Sequence, residues 1–204
     1  MMKSTRTYLA ALIGFVLLLG CAAEQSTQAP THADYLANDT LVRGLDYKSY
    51  VKLSSDMAKD TQALKDTWLL WKAENWSALE AYIDSAKLNS GYPPADGFIN
   101  VEVVSLDTGN QIDRYNSIYG QFFAPKGTPF GERSLKAEDR YHPYTAYRVA
   151  KQIDSVLKGK IIPWYGEPGL GIQYMTQKHD NELLAEGYLI MTDSVGPTTP
   201  PKNQ

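Results

Sequence analysis

The spacing of hydrophobic and polar positions changes character twice along the chain. From 34 to 90 it follows a helical period. Met57, Leu64, Trp68 and Trp71 fall on one face through spacings of seven, four and three. Ser77 with Glu80 predicts a capping box. Leu79, Ile83 and Ala86 continue the stripe, and Gly91 supplies a stop. The tryptophans at 68, 71 and 76 read as core rather than as a ligand platform. Tyr92-Pro93-Pro94 then breaks any helix. Beyond it lie short β-type runs separated by Gly, Pro, Asn and Asp, at 100–105, 111–115, 120–124, 144–149, 159–164 and 171–175. A short helix near 180–186 ends at Gly187, with His179-Asp180 at its start and Asp180 as its cap, and Tyr188 to Met191 forms a last strand. Helices first and strands later predict an α+β fold, N-terminal helices followed by a mainly antiparallel β-sheet core.

The amino end has a third pattern. Lys3 and Arg6 precede an apolar run from Leu9 to Leu19, too short for a spanning helix, which needs about 20 residues. That is the pattern of a secretory signal. The run closes on Leu18-Leu19-Gly20-Cys21, which resembles a bacterial lipobox with Cys21 as the lipidated residue. The alternative is an ordinary cleaved signal with an incidental cysteine. The lipobox implies an exported protein, lipid-anchored to the cell envelope, at the outer membrane in a Gram-negative cell. The expected organisation is signal 1–20, tether 21–33, helical region 34–90, β-rich domain 91–193 and disordered tail 194–204.

Composition narrows the chemistry. With 204 residues, 43% hydrophobic and 21% charged, the chain has the balance of an ordinary globular protein. A net charge of −3 argues against a broad nucleic-acid surface, so no nucleic-acid partner is expected. One cysteine excludes an internal disulfide framework. His32, His142 and His179 are too scattered to suggest a metal cluster. No phosphate-binding P-loop, dinucleotide fingerprint, H-E-x-x-H or G-x-S-x-G motif is present.

Three later segments are richer than a scaffold requires. The first is Ile112-Asp113-Arg114-Tyr115 leading to Gly120-Gln-Phe122-Phe123-Ala-Pro125. The second is Gly127-Thr-Pro-Phe-Gly-Glu132-Arg133-Ser-Leu135. The third is Ile162-Pro-Trp164-Tyr165-Gly-Glu167-Pro-Gly169-Leu170-Gly171-Ile172-Gln173-Tyr174. With Tyr92-Pro-Pro-Ala-Asp-Gly97-Phe98 before them, this ordered set resembles the tuberculosis necrotizing toxin family of NAD glycohydrolases. The resemblance runs to about Met191 and implies cleavage of the nicotinamide–ribose bond, with NAD or NADP as substrate rather than cofactor. It also implies a toxic activity against which the producer needs an immunity protein.

The resemblance assigns catalytic roles to Arg114, on NAD phosphate, to Gln173, beside the scissile bond, and to Phe122, where some members carry Tyr. Phe122 keeps a stacking face and lacks the hydroxyl. Leu170 and Ile172 stand where the family usually has Gly and Thr. Arg133, Trp164, Tyr165, Gly169, Gly171 and Tyr174 are the expected substrate-binding residues, and no metal site is expected.

The residue types suit these roles. A guanidinium fork matches phosphate oxygens, although on the residue type alone a surface ion pair is the commoner use for Arg114. Glycines let backbone approach a ligand, or merely turn. Aromatic rings stack on flat bases, or fill a core. Gln173 is no base but can orient a hydroxyl or water. Nicotinamide in NAD is a cationic leaving group, so no strong acid is needed for an oxocarbenium-like transition state. Glu132 and Glu167 are candidates for related ADP-ribosyl transfer. The competing expectation is a non-catalytic envelope lipoprotein that binds a nucleotide or a partner on the same fold.

Overall fold

The computed structural model describes residues 29–54, 57 and 59–199. The expected signal, Cys21, most of the expected tether and residues 200–204 lie outside the described residues. Among those described, no helix is long and apolar enough to cross a membrane.

Four helices come first: α1 His32–Leu36, α2 Tyr47–Lys52, α3 Thr61–Lys72 and α4 Trp76–Ala86. Side chains cap each one. Asp46 accepts from Ser49 N–H at 2.7 Å and Asp60 from Ala63 N–H at 2.9 Å, meeting donors a helix start leaves unpaired. The expected Ser77–Glu80 box does not form. Asn75 caps α4 through Ala78 N–H, and Glu80 instead accepts from Tyr165 N–H at 2.8 Å. α4 stops at Ala86, before Gly91, because Lys87 takes a left-handed conformation.

The helical stripe forms a core with Leu45, Tyr47 and Tyr50. Trp68 and Trp71 stack with centroids 5.2 Å apart inside it. Ile162 and Trp164, from far along the chain, complete that core. Arg43 ties the same junction. It donates to Ile99 O, Trp71 O and Lys72 O, and its guanidinium lies 4.1 Å from the centroid of the Trp71 ring.

The sheet has seven strands: β1 Glu102–Leu106, β2 Gln111–Tyr115, β3 Phe122–Pro125, β4 Tyr144–Val149, β5 Ile153–Lys160, β6 Ile172–Met175 and β7 Leu189–Val195. Their order is β1-β5-β6-β3-β2-β4-β7, and every pairing is antiparallel. The α+β expectation is met. A second core, including Ile112, Phe123, Tyr147, Val156 and Leu189, lies against α5, Asp180–Ala185, through Leu183.

Several boundaries differ from expectation: α1 begins at His32, inside the expected tether, and β1 and β3 each start two residues late. The run at 159–164 is a strand only at its first two residues; β5 lies at Ile153–Lys160 and Ile161 onward leads into a loop. The tail expected from 194 still carries structure. Val195 pairs with Tyr144, and Thr198 N–H donates to Tyr141 O at 2.9 Å.

Candidate active site

Successive side chains of a strand point to opposite faces. Phe123 therefore enters the second core while Phe122 stays 40% exposed. Phe122, Ile172 and Gln173 line a cleft of about 410 Å3, closed by Glu132, Arg133 and Lys136 from the segment after β3. A second lobe of about 340 Å3 opens from it and shares Tyr92, Phe122, Arg133, Lys136 and Gln173. Its far wall comes from the helical region and the turn after it, through Leu53, Asn89, Pro93 and Asp96.

Gln173 sits between the lobes. Its Nε2 donates to Asp96 O at 2.9 Å. That bond fixes the amide and leaves its oxygen as an acceptor.

Arg114, near the end of β2, also borders the cleft. Its Nη1 lies 3.4 Å from Asp180 Oδ2, with side-chain exposures of 11% and 0%. Asp180 also accepts from Tyr147 Oη at 2.9 Å and Gly120 N–H at 3.1 Å. So Asp180 opens α5 as an internal anchor for Arg114 rather than as its cap; the cap position is His179. Burial draws the Arg114 guanidinium below its ordinary range, opposed by the Asp180 charge. Burial, then the hydrogen bond to Asp180, pushes the Tyr147 phenol up. A Cβ at Gly120 would lie 1.9 Å from Arg114 Nη1. The glycine before Phe122-Phe123 therefore makes room for the guanidinium.

Arg133 borders both lobes but is spent inside the protein. Its Nη1 pairs with Asp113 Oδ1 at 2.6 Å, and Nε and Nη2 donate to Thr128 O. Asp113 also accepts from Gly127 N–H and Tyr144 Oη at 2.8 and 2.7 Å. Burial, then this hydrogen bond, raises the Tyr144 phenol. The network locks the G-T-P-F-x-x-R-S-L segment onto β2, so Arg133 is a pin for the cleft wall.

Trp164, Tyr174, Gly169 and Gly171 do not line either lobe. Trp164 is buried, and its Nε1 donates to Gly91 O at 2.9 Å. Tyr174 packs on the second core. A Cβ at Gly171 would lie 2.5 Å from Glu132 O, and Gly171 N–H donates to that same oxygen. The closing glycines thus seat one loop on another, with Gly169 at φ +60° against Ile162 O. Leu170 sits at φ +69°, a conformation that glycine adopts more easily. Tyr165 does line the second lobe. Of the two carboxylates, Glu132 borders the cleft, whereas Glu167 pairs with Arg140 at 3.4 Å.

The sequence reading did not single out Tyr92, Asn89 or Lys136 as site residues. Tyr92 lay within the Y-P-P motif, but nothing local marks Asn89 or Lys136. Among the described residues no group of three His, Cys, Asp or Glu could hold a metal ion.

The motif resemblance is met by comparison. A family model described as Tuberculosis necrotizing toxin matches residues 105–191, which span β1 into β7. The conidial surface nicotinamide adenine dinucleotide glycohydrolase nadA of Aspergillus fumigatus (strain ATCC MYA-4609 / CBS 101355 / FGSC A1100 / Af293) is 38% identical over 116 residues. These are 50% of this chain and 49% of that protein, so the chain spans about half the length of this curated relative. Among solved structures, tuberculosis necrotizing toxin complexed with its immunity factor IFT aligns with a TM-score of 0.42 at 22% identity, over 49% of this chain and 60% of that chain. Rhs1-CT in complex with its cognate immunity protein RhsI1 aligns with a TM-score of 0.39 at 16% identity, over 53% and 90%.

Proposed function

We propose that the chain is an NAD glycohydrolase that cleaves the nicotinamide–ribose bond to give nicotinamide and ADP-ribose. The observation that carries this reading is the convergence of Gln173, Phe122 and Arg114 on one cleft, within a segment matched to the toxin family. The relationship to nadA, 38% identical over 116 residues, supports the same substrate.

The chemistry asks little of a general acid. Nicotinamide leaves as a neutral molecule from a cationic ring, and the ribose passes through an oxocarbenium-like state. Gln173, held by Asp96 O, keeps its amide oxygen for a ribose hydroxyl or the attacking water. Phe122 offers a ring face beside it. Arg114 keeps Asp180 as partner through Nη1 and Tyr115 O through Nε, and offers Nη2 to a pyrophosphate oxygen. Positioning and fixed charge supply the acceleration.

Nicotinamide release from NAD by the purified chain tests the reading. Gln173→Ala and Arg114→Ala should each lower the rate on the order of 100-fold. A folded parent that releases no nicotinamide would overturn the activity, and unaffected variants would overturn the residue roles. NADP is the second substrate to assay.

Export and lipid anchoring belong to the same proposal, supported by the Leu18-Leu19-Gly20-Cys21 sequence. Labelled palmitate should enter the parent and fail to enter Cys21→Ser. Equal labelling of both would remove the anchor from the reading. A toxic role, with an immunity protein in the producer, follows the family resemblance. Expression of the chain without that protein, with depletion of cellular NAD as the readout, tests it.

A further inference from the structure

Gln173 is fixed by a carbonyl that belongs to a turn outside the sheet. That turn, Ala95-Asp96-Gly97, supplies Asp96 O and is left-handed at each of its residues, with φ +53°, +49° and +79°. Ala95 and Asp96 are not glycine, and such backbone persists only where its surroundings over-determine it. Bonds to neighbouring elements do so here. Ser54 Oγ accepts from Ala95 N–H at 2.8 Å. Leu53 O accepts from Asp96 N–H at 3.0 Å, and Gly97 O accepts from Ile162 N–H at 2.8 Å. Ser54, just after α2, is buried, and Ala95 is buried in the first core. The Ser54 bond is made by a side chain, so a substitution can remove it and leave the chain otherwise intact.

We propose that Ser54 is a positioning residue for the cleavage. It holds Ala95, the turn then directs Asp96 O, and Asp96 O sets the amide of Gln173. This rests on the glycohydrolase reading and deepens it. Without the serine oxygen the Ala95 N–H is left buried and unpaired, a cost that rotation of the turn relieves. Asp96 O moves with the turn, and the Gln173 amide loses the bond that fixes it. The effect belongs to kcat rather than KM. Gln173 acts on the water or the ribose hydroxyl as the bond breaks, whereas Arg114 and Phe122, which hold the substrate, are left in place. Ser54 and Asp96 precede the segment matched to the family, 105–191. The helical region thus reaches the reacting centre through a side chain of β6.

Kinetics and nuclear magnetic resonance on the purified chain test the assignment. Ser54→Ala should lower kcat for NAD about tenfold, with KM changed by less than about twofold. Ser54→Cys keeps the volume, offers only a weak acceptor, and should show the same loss. Ser54→Thr keeps the oxygen and should retain the rate. Added to Gln173→Ala, Ser54→Ala should cause no further loss, because the amide it positions is already gone. The nitrogen-15 resonance of the Gln173 side-chain amide, identified by its absence from Gln173→Ala, should shift in Ser54→Ala. It should stay in place in Asp60→Ala, which removes a helix cap elsewhere. Unchanged kcat in Ser54→Ala, an equal loss with and without Gln173, or an unmoved resonance would overturn the proposal. A folded parent that releases no nicotinamide would undo the glycohydrolase reading instead, and the resonance would then decide alone whether Ser54 directs the amide.

Discussion

At Gly120 a single hydrogen, where other residues carry a carbon, decides where Arg114 can lie. A methyl there would meet Nη1 at 1.9 Å, and a buried guanidinium between Asp180 and Phe123 has little room to yield. Gly120→Ala should displace it and reduce kcat/KM for NAD on the order of 100-fold, with far-ultraviolet circular dichroism unchanged. Full activity in that variant would show that the guanidinium's position is immaterial. Asp180→Asn removes the charge opposite Arg114, and breaking one side of a buried pair costs about 3 kcal/mol or more. Thermal unfolding should register it, and an unaltered midpoint would mean that the pair is not an anchor. Arg114 itself was legible from the I-D-R-Y motif. Its partner was not, because Asp180 is distant in sequence and reads locally as the start of a helix. Trp164 failed for a related reason: an aromatic in a motif gives no sign of which way it faces, and here it faces inward to Gly91 O.

Among the elements, the clearest sequence signals came from one-sided burial. The stripe Met57, Leu64, Trp68 and Trp71 is buried throughout. β2, β4 and the short α5 lie where the pattern puts them. β5 was missed because Asp154, Ser155, Lys158 and Lys160 dilute its alternation, and Ser155 takes φ +57°, which interrupts the pleat. The caps were half legible. Asp46 was not singled out, yet it holds α2 by accepting from Ser49 N–H. Hydrogen bonds from Ser49 keep its carboxyl below the ordinary range. A carboxyl more acidic in the folded than in the unfolded protein stabilises the fold above its unfolded value, near 3.9. That contribution is lost as pH falls through the folded value. Asp46→Ala should thus cost about 1 kcal/mol in urea unfolding at pH 7, and much less at pH 3. A gap as wide at pH 3 as at pH 7 would assign the cost to something other than the charged cap.

For the whole molecule, the sequence suggested a helical region and a β-rich domain meeting near residue 91. The structure joins them through one core. Ile162 and Trp164 pack among Tyr47, Leu64 and Trp71, and Arg43 bonds across the seam to Ile99 O. A shared core was not readable beforehand, because each half shows a plausible apolar face of its own. A chain cut to 91–199 should therefore expose Ile162 and Trp164 and lose cooperative unfolding. A sharp calorimetric transition from that fragment would show that the sheet stands alone.

The bond from Gln173 to Asp96 O also has a consequence in time. These residues are 77 positions apart, and β1 pairs with partners that are also remote, as Glu102 does with Lys158. Contacts between distant parts of a chain form late and slowly, because long loops must close before anything rewards them. During refolding from denaturant, tryptophan burial among the helices should therefore recover ahead of any activity. The Gln173 amide would find its place only in the last step, so that an incompletely folded chain has its helices before it has the cleft.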